Sequence, residues 1–256
     1  MHDLTATIAG NLARVRAEIA AAARAAGRKP EEVRLIAVSK THPVEAVAAA
    51  IAAGQMDFGE NTVQEALTKI PLYPATAPGV ALPPASMQSS SRPITWHMIG
   101  HLQSNKAKSI PGHFAWVHSV DSLKLAQRLS RLAQEKSVVL NALFEVNVTR
   151  DPAKHGLPPE ELAPLLDTLL KEGHPGLRLR GLMTLGPYPA TEADSRASFA
   201  RLRELREDCR KRFGLKDFSE LSMGMSGDYA AAIKEGSTMV RIGTAIFGER
   251  DYSKNK

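Results

Sequence analysis

MGMSGDYAAAIKEGSTMVRIGTAIFG, residues 223–248, holds a turn, a helix opening, a short strand and a second helix opening. Ser226-Gly227-Asp228 opens the first helix, Val240-Arg241-Ile242 ends the strand, and Gly243-Thr244 begins the last turn. Two helix N-termini side by side make an anion site, because unpaired N–H groups and positive dipole ends converge. In an eight-fold barrel the loops after strands 7 and 8 are the usual phosphate grip.

Working outward, short apolar runs alternate with helical patterns along the whole chain. Strands are predicted at 33–40, 56–59, 95–100, 114–120, 138–148, 177–185, 218–223 and 238–242, with helices at 44–53, 62–70, 104–110, 122–136, 159–171, 193–213 and 227–235. Regular alternation with near-continuous apolar strands points to a parallel sheet. Closing eight units on themselves gives an α/β fold of one domain over 1–256, a (β/α)8 TIM barrel. A doubly wound open sheet is the alternative, weakened because no G-x-G-x-x-G turn follows any strand. An extra N-terminal helix is read from Leu4, Ile8, Leu12, Val15 and Ile19, which form one apolar stripe. The Ala- and Arg-rich start also fits a transit peptide, but Asp3 and Glu18 are out of place in one. Segment 71–93 carries six prolines and a serine run. It reads as an insertion within the barrel, extended or disordered, on the face away from the site.

The 256 residues suit one such barrel, and 43% hydrophobic content supplies a core. A single cysteine, Cys209, allows no intramolecular disulfide, which fits a reducing compartment. No apolar run approaches the ~20 residues of a membrane span. The net charge of +6 is read as a solvated basic surface, since basic and aromatic residues are not interleaved as nucleic-acid binding would favour.

Barrel strands deliver their C-terminal residues into the site. These are Lys40, Glu60-Asn61, His97 with His101 just beyond, Met183-Thr184, Ser226, Arg241 and Gly243-Thr244. Lys40 follows an apolar strand, where partial burial disfavours the ammonium. A neutral amine can attack an aldehyde, so lysine and phosphate grip together suggest a phosphorylated aldehyde. Arg241 in an apolar strand needs a partner, and a pyridine nitrogen or a carboxylate would serve. Ser226 also reads as a plain helix cap, and His97 as a satisfied core histidine. No metal site is read: His97 and His101 are four apart beside a strand, where that spacing does not make them converge.

AVSKTHP at 37–43, FGENTVQE at 58–65, WHMIGHLQSNK at 96–106, RGLMTLG at 180–186, and LSMGMSGDYAAAI with GSTMVRIGTAIFG within 221–248 resemble the pyridoxal phosphate homeostasis protein family. The resemblance implies the fold-type III barrel of the alanine racemase N-terminal domain. It implies pyridoxal 5'-phosphate (PLP) held as a Schiff base on Lys40. Ser226, Gly243 and Thr244 would hold the phosphate, Arg241 would face the pyridine nitrogen, and Asn61 would lie close to the ring; His97 and Met223 are further candidate cofactor contacts from their place near strand ends. The implied role is to buffer PLP and deliver it to apo PLP-dependent enzymes without robust catalysis; a monomer is the default expectation, and a cytoplasmic location fits the single cysteine. A mitochondrial fraction stays open.

An amino-acid racemase is the alternative function. Arg241 suits it, because a cation beside the ring nitrogen weakens the electron sink without abolishing racemase chemistry. A second base is not evident among Tyr73, Tyr188, Tyr229 and Tyr252, of which only Tyr188 is placed to reach the site. Lys154, in the loop after strand 5, is either an exposed lysine or a transient second acceptor. A phosphate-sugar aldolase on the same barrel is a third, weaker reading.

Overall fold

The computed structural model describes residues 2–73 and 93–249. Eight parallel strands close in sequential order, β1 pairing with β8. They are β1 (Arg34–Val38), β2 (Asp57–Glu60), β3 (Thr95–Met98), β4 (Trp116–Val120), β5 (Leu140–Glu145), β6 (Leu177–Met183), β7 (Glu220–Ser222) and β8 (Met239–Ile242). Each is shorter than the apolar run that announced it or begins a residue later, because hydrophobicity continues into the flanking loops. Val146, for instance, is buried beyond β5 and bridges to Leu157.

The helices are α1 (His2–Ala25), α2 (Val44–Ala52), α3 (Val63–Lys69), α4 (Leu123–Glu135), α5 (Pro159–Glu172), α6 (Glu192–Phe213), α7 (Tyr229–Lys234) and α8 (Thr244–Phe247). Between β3 and β4 the expected α-helix is a 3-10 helix, Ser104–Ser109. Caps fix several starts: the hydroxyls of Thr62, Ser122 and Thr191 each accept the N–H three residues on. Left-handed Gly214 ends α6.

In α1, Ile8, Leu12, Val15 and Ile19 are buried as the stripe requires, whereas Leu4 is exposed. The helix packs on α2, α7 and α8. Asn11 Nδ2 and Arg14 donate to the carbonyls of Ile246 and Ala245, at 2.9 and 3.0 Å. Arg28 donates to Ile233 and Ser237 carbonyls. Thus α1 braces the two short elements that follow β7 and β8.

Most of the expected insertion, 74–92, lies outside the described residues. Its first residues belong to the packed fold: Tyr73 is buried, and Trp96 Nε1 donates to its carbonyl at 2.8 Å. No described helix is long and apolar enough to cross a membrane.

Inside the barrel, period-2 alternation turns one set of side chains inward. Ile36, Trp116, Leu143, Met183 and Met239 form an apolar cluster there. Glycine at 59 makes room for it, since a Cβ would stand 2.9 Å from Ile99 Cδ1 and 3.1 Å from Ile36 Cγ2. Polar side chains share this interior: Asp57, His97, His118, Ser222 and Arg241 are all at most 4% exposed. Barrel interiors are ordinarily filled by branched apolar residues, so this departure requires internal pairing.

Candidate functional site

A cavity of about 660 Å³ opens at the C-terminal ends of the strands. That volume lies within the roughly 300–1,000 Å³ usual for small-molecule sites. Lys40, Asn61, Ser226, Arg241, Gly243 and Thr244 all line it, joining the ends of β1, β2, β7 and β8.

Lys40 is half-buried, two residues beyond β1. The next residue, Thr41, has φ 65, a left-handed value uncommon for a β-branched residue. Its N–H donates to the Glu65 carboxylate, which anchors the bend. Below lies a second lysine. Lys69 Nζ donates to Ser39 O at 2.7 Å, Glu60 Oε1 at 2.9 Å and Glu65 Oε1 at 2.7 Å. An ammonium has three hydrogens, so Lys69 is saturated and cannot serve as a nucleophile. Ser39 Oγ donates to the same Glu60 oxygen at 2.6 Å. Burial pushes the Glu60 carboxyl above the ordinary range, against the opposing pull of Lys69 and Ser39. This buried group ties the ends of β1 and β2 together and fixes the backbone that presents Lys40.

Asn61 follows β2. A Cβ at Gly100 would stand 2.2 Å from the Asn61 carbonyl oxygen, so glycine is needed for the β3 loop to cross it.

On the far side, the backbone N–H groups of Ser226 and Gly227 donate to no acceptor among the described residues. The helix expected at residue 227 starts at Tyr229, with Asp228 in the cap position, so Ser226 is not a cap. Asp228 Oδ1 instead accepts the Met225 N–H at 2.6 Å and closes the turn. Gly243 precedes α8 and Thr244 is its first residue; both lie on the cavity wall, and Thr244 is exposed. The helices here have six and four residues. Free N–H and hydroxyl donors, rather than long dipoles, are what this turn could offer an anion.

Arg241 is 4% exposed. Its two terminal nitrogens donate to Ser222 Oγ at 2.6 Å and to Thr184 O at 2.9 Å. A guanidinium has five N–H donors, so some remain for a ligand acceptor in the cavity. Burial brings its pKa down to about 10, opposed by Asp228 and Glu145.

Two expected site residues fall elsewhere. His97 is fully buried below the cavity, with its ring nitrogens 3.0 Å from His118 Nε2 and 3.1 Å from Asp57 Oδ1. It lies on β3, one layer beneath the wall, where Ile99 takes the lining position. Met223 is fully buried in the apolar core because its side chain points away from the cavity mouth.

Of the other lining residues, Glu145 and His155 were not singled out in the sequence, whereas His101 and Tyr188 were. Glu145 ends β5, opposite β1 in the strand order, and is only 4% exposed. Burial pushes its carboxyl up to about 7, with Asp121 adding to the shift and Arg241 opposing it. His101 and His155 stack at 3.9 Å with an 11° interplanar angle. Tyr188 lies on the rim and is 91% exposed. Lys154, read from the sequence as an exposed lysine or a second acceptor, is half-buried and off the cavity wall, its Nζ donating to Gly186 O at 2.7 Å. Among the described residues, no group of three His, Cys, Asp or Glu side chains could hold a metal ion. A sequence signal existed for Glu145, Asp57 and His118: each is a polar residue in an otherwise apolar buried strand and so needs a partner.

Comparison with known proteins follows the same lines. The family model for the alanine racemase N-terminal domain matches residues 10–251. The pyridoxal phosphate homeostasis protein of Pseudomonas aeruginosa is 49% identical over 246 residues, 96% of this chain and 97% of that protein. The protein of the same name from Escherichia coli K12 is 43% identical, covering 96% of this chain and 98% of its own. Among solved structures, PipY of Synechococcus elongatus with PLP bound superposes with a TM-score of 0.76 at 36% identity. That match covers 94% of this chain and all of PipY.

Proposed function

The chain belongs to the pyridoxal phosphate homeostasis protein family, built on the alanine racemase N-terminal domain, and from that premise we propose that its cavity binds PLP covalently through Lys40, holds it in reserve and passes it to apo-enzymes. One observation carries the reading. A single cavity joins a strand-end lysine to a set of unpaired donors and a buried arginine.

The residues fit the cofactor group by group. Ser226 and Gly227 N–H groups, with Thr244, would take the phosphate. Arg241, already anchored by Ser222 and Thr184, would turn its remaining donors toward the pyridine nitrogen. Asn61 would stand near the ring. PLP supplies an aldehyde with which a primary amine condenses, releasing water, and which a second amine can later take over. Lys40 provides the first amine, on a backbone held by Thr41–Glu65 and Ser39–Lys69. A donor such as Arg241 leaves the ring nitrogen as an acceptor, which limits the ring as an electron sink and suits holding over turnover.

The open half of the cavity is bordered by His101, His155 and exposed Tyr188. An unobstructed approach favours exchange with an incoming amine. We read the recipients as apo PLP-dependent enzymes and the holder as a monomer.

The test is an absorbance spectrum of the protein with PLP, beside Lys40→Ala. We expect a visible band in wild type that is absent in the variant, and a PLP-sized mass fixed by borohydride. Addition of alanine enantiomers should release or exchange the cofactor without racemisation. No band after PLP addition would overturn the covalent assignment, and sustained racemisation would favour the enzyme reading.

A further inference from the structure

Five polar side chains inside the barrel form one hydrogen-bonded column. From the cavity downward, Arg241 donates to Ser222 Oγ at 2.6 Å. Ser222 Oγ lies 2.8 Å from His118 Nδ1. His118 Nε2 lies 3.0 Å from His97 Nδ1, and His97 Nε2 lies 3.1 Å from Asp57 Oδ1. The residues come from β8, β7, β4, β3 and β2, and each is at most 4% exposed. At the lower end, Arg34 Nε stands 4.0 Å from the same Asp57 oxygen.

The two ends fix the direction of every proton between them. A guanidinium only donates and a carboxylate only accepts. Ser222 Oγ receives a hydrogen from Arg241, and its own hydrogen finds its acceptor at His118 Nδ1. His118 must then carry its proton on Nε2 and donate it to His97 Nδ1. His97 in turn carries its proton on Nε2, facing Asp57. In the opposite order, His97 would turn a bare lone pair toward a carboxylate and the Ser222 hydrogen would lose its acceptor in the column. Burial, with the charges of Arg241 and Arg34 adding to it, holds the His118 pKa well below the usual histidine range, so a neutral His118 ring is the stable form.

We propose that Asp57 is a remote counter-charge of Arg241, coupled to it through two neutral Nε2–H histidines, and that Asp57, His97 and His118 are positioning residues for the cofactor ring that Arg241 meets. The proposal rests on the reading of Arg241 given above. Asp228 and Glu145 act on Arg241 through space, and Glu145 is close to half-protonated near pH 7. Asp57 acts through oriented bonds, each polarising the next in a low-dielectric interior. Replacing a residue at the foot of the barrel should therefore change binding at its mouth.

The decisive experiment uses 15N-labelled, cofactor-free protein and long-range 1H–15N correlations of the histidine rings between about pH 6 and 8. His97 and His118 are assigned from His97→Gln and His118→Gln. Both rings should show the neutral Nε2–H pattern across that range. An Nδ1–H pattern or an imidazolium at either ring overturns the proposal. A second arm takes Asp57→Asn. PLP should bind several-fold more weakly, and the fixed tautomer pattern at His97 and His118 should be lost, with the Lys40 band retained at saturating PLP. Wild-type PLP affinity together with an unchanged His118 signal would sever Asp57 from Arg241 and sink the idea. If Asp57→Asn does not fold, the wild-type tautomers still decide it. Failure of wild type to bind PLP would strike the cavity reading instead, because the tautomers are read without cofactor.

Discussion

Lys69 Nζ donates to the carbonyl oxygen of Ser39 at 2.7 Å, one residue before Lys40 in the chain. The interior lysine thus holds the backbone that aims the exterior one. Its other hydrogens go to Glu60 and Glu65, and Glu60 Oε2 is buried without a hydrogen-bond partner among the described residues. Lys69→Met should leave the Glu60 charge uncompensated and cost about 3–5 kcal/mol, the usual penalty for breaking a buried pair. Urea unfolding measures it. The double variant Lys69→Met/Glu60→Gln should recover part of the loss, and an equal loss in both would show that the charge is not the cause.

Glu145 gives a pH dependence of defined sign. Its carboxyl titrates near 7 in the folded protein against an ordinary value of 4.5. The folded state therefore binds more protons between those values, and stability falls as pH rises through that window. At roughly 1.36 kcal/mol per pKa unit, the full effect is about 3 kcal/mol. Glu145→Gln should leave stability little changed near pH 4.5 and raise it by up to that amount above pH 7. Unfolding curves at acid and alkaline pH check this, and a variant equally stable relative to wild type at both would disprove the shift.

On the proposed function, phosphate recognition should be separable from covalent attachment. Thr244→Val and Ser226→Ala remove hydroxyl donors from the cradle and leave Lys40 intact. Each should weaken PLP binding by about 1 kcal/mol, the order of a single hydrogen bond, and affect pyridoxal far less. The measurement is the ratio of PLP to pyridoxal affinity. A uniform loss for both ligands would place these residues elsewhere in the mechanism.

Gly100 tests the crossing of loops over Asn61. A methyl group there would meet the Asn61 carbonyl oxygen at 2.2 Å, and backbone cannot yield as a side-chain tip can. Gly100→Ala should destabilise the fold by about 1–3 kcal/mol through overpacking and weaken PLP binding as well. Thermal unfolding and a PLP titration report the two effects. Unchanged values for both would mean that the β3 loop moves freely.

The alternation of apolar runs and helical stripes determined the barrel before any coordinate was needed. A strand buried on both faces must be apolar, and eight such units have few ways to close. Strand-end position likewise marked Lys40, Asn61, Ser226, Arg241, Gly243 and Thr244, because barrel topology sends every strand C-terminus to one face. The tertiary structure alone decided depth and partnership. His97 carried the signature of a site residue, yet one layer of the barrel separates it from the cavity, and it pairs with a carboxylate 40 residues away. Met223 borders the Ser226–Asp228 turn in sequence but turns into the core. Ser222 and His118 meet across 104 residues, and Lys69 reaches back 30 to Ser39. Period-2 patterning tells which face a side chain takes. It carries no information about which strand's polar atom stands opposite, and that pairing fixes proton positions, charge and the aim of Arg241.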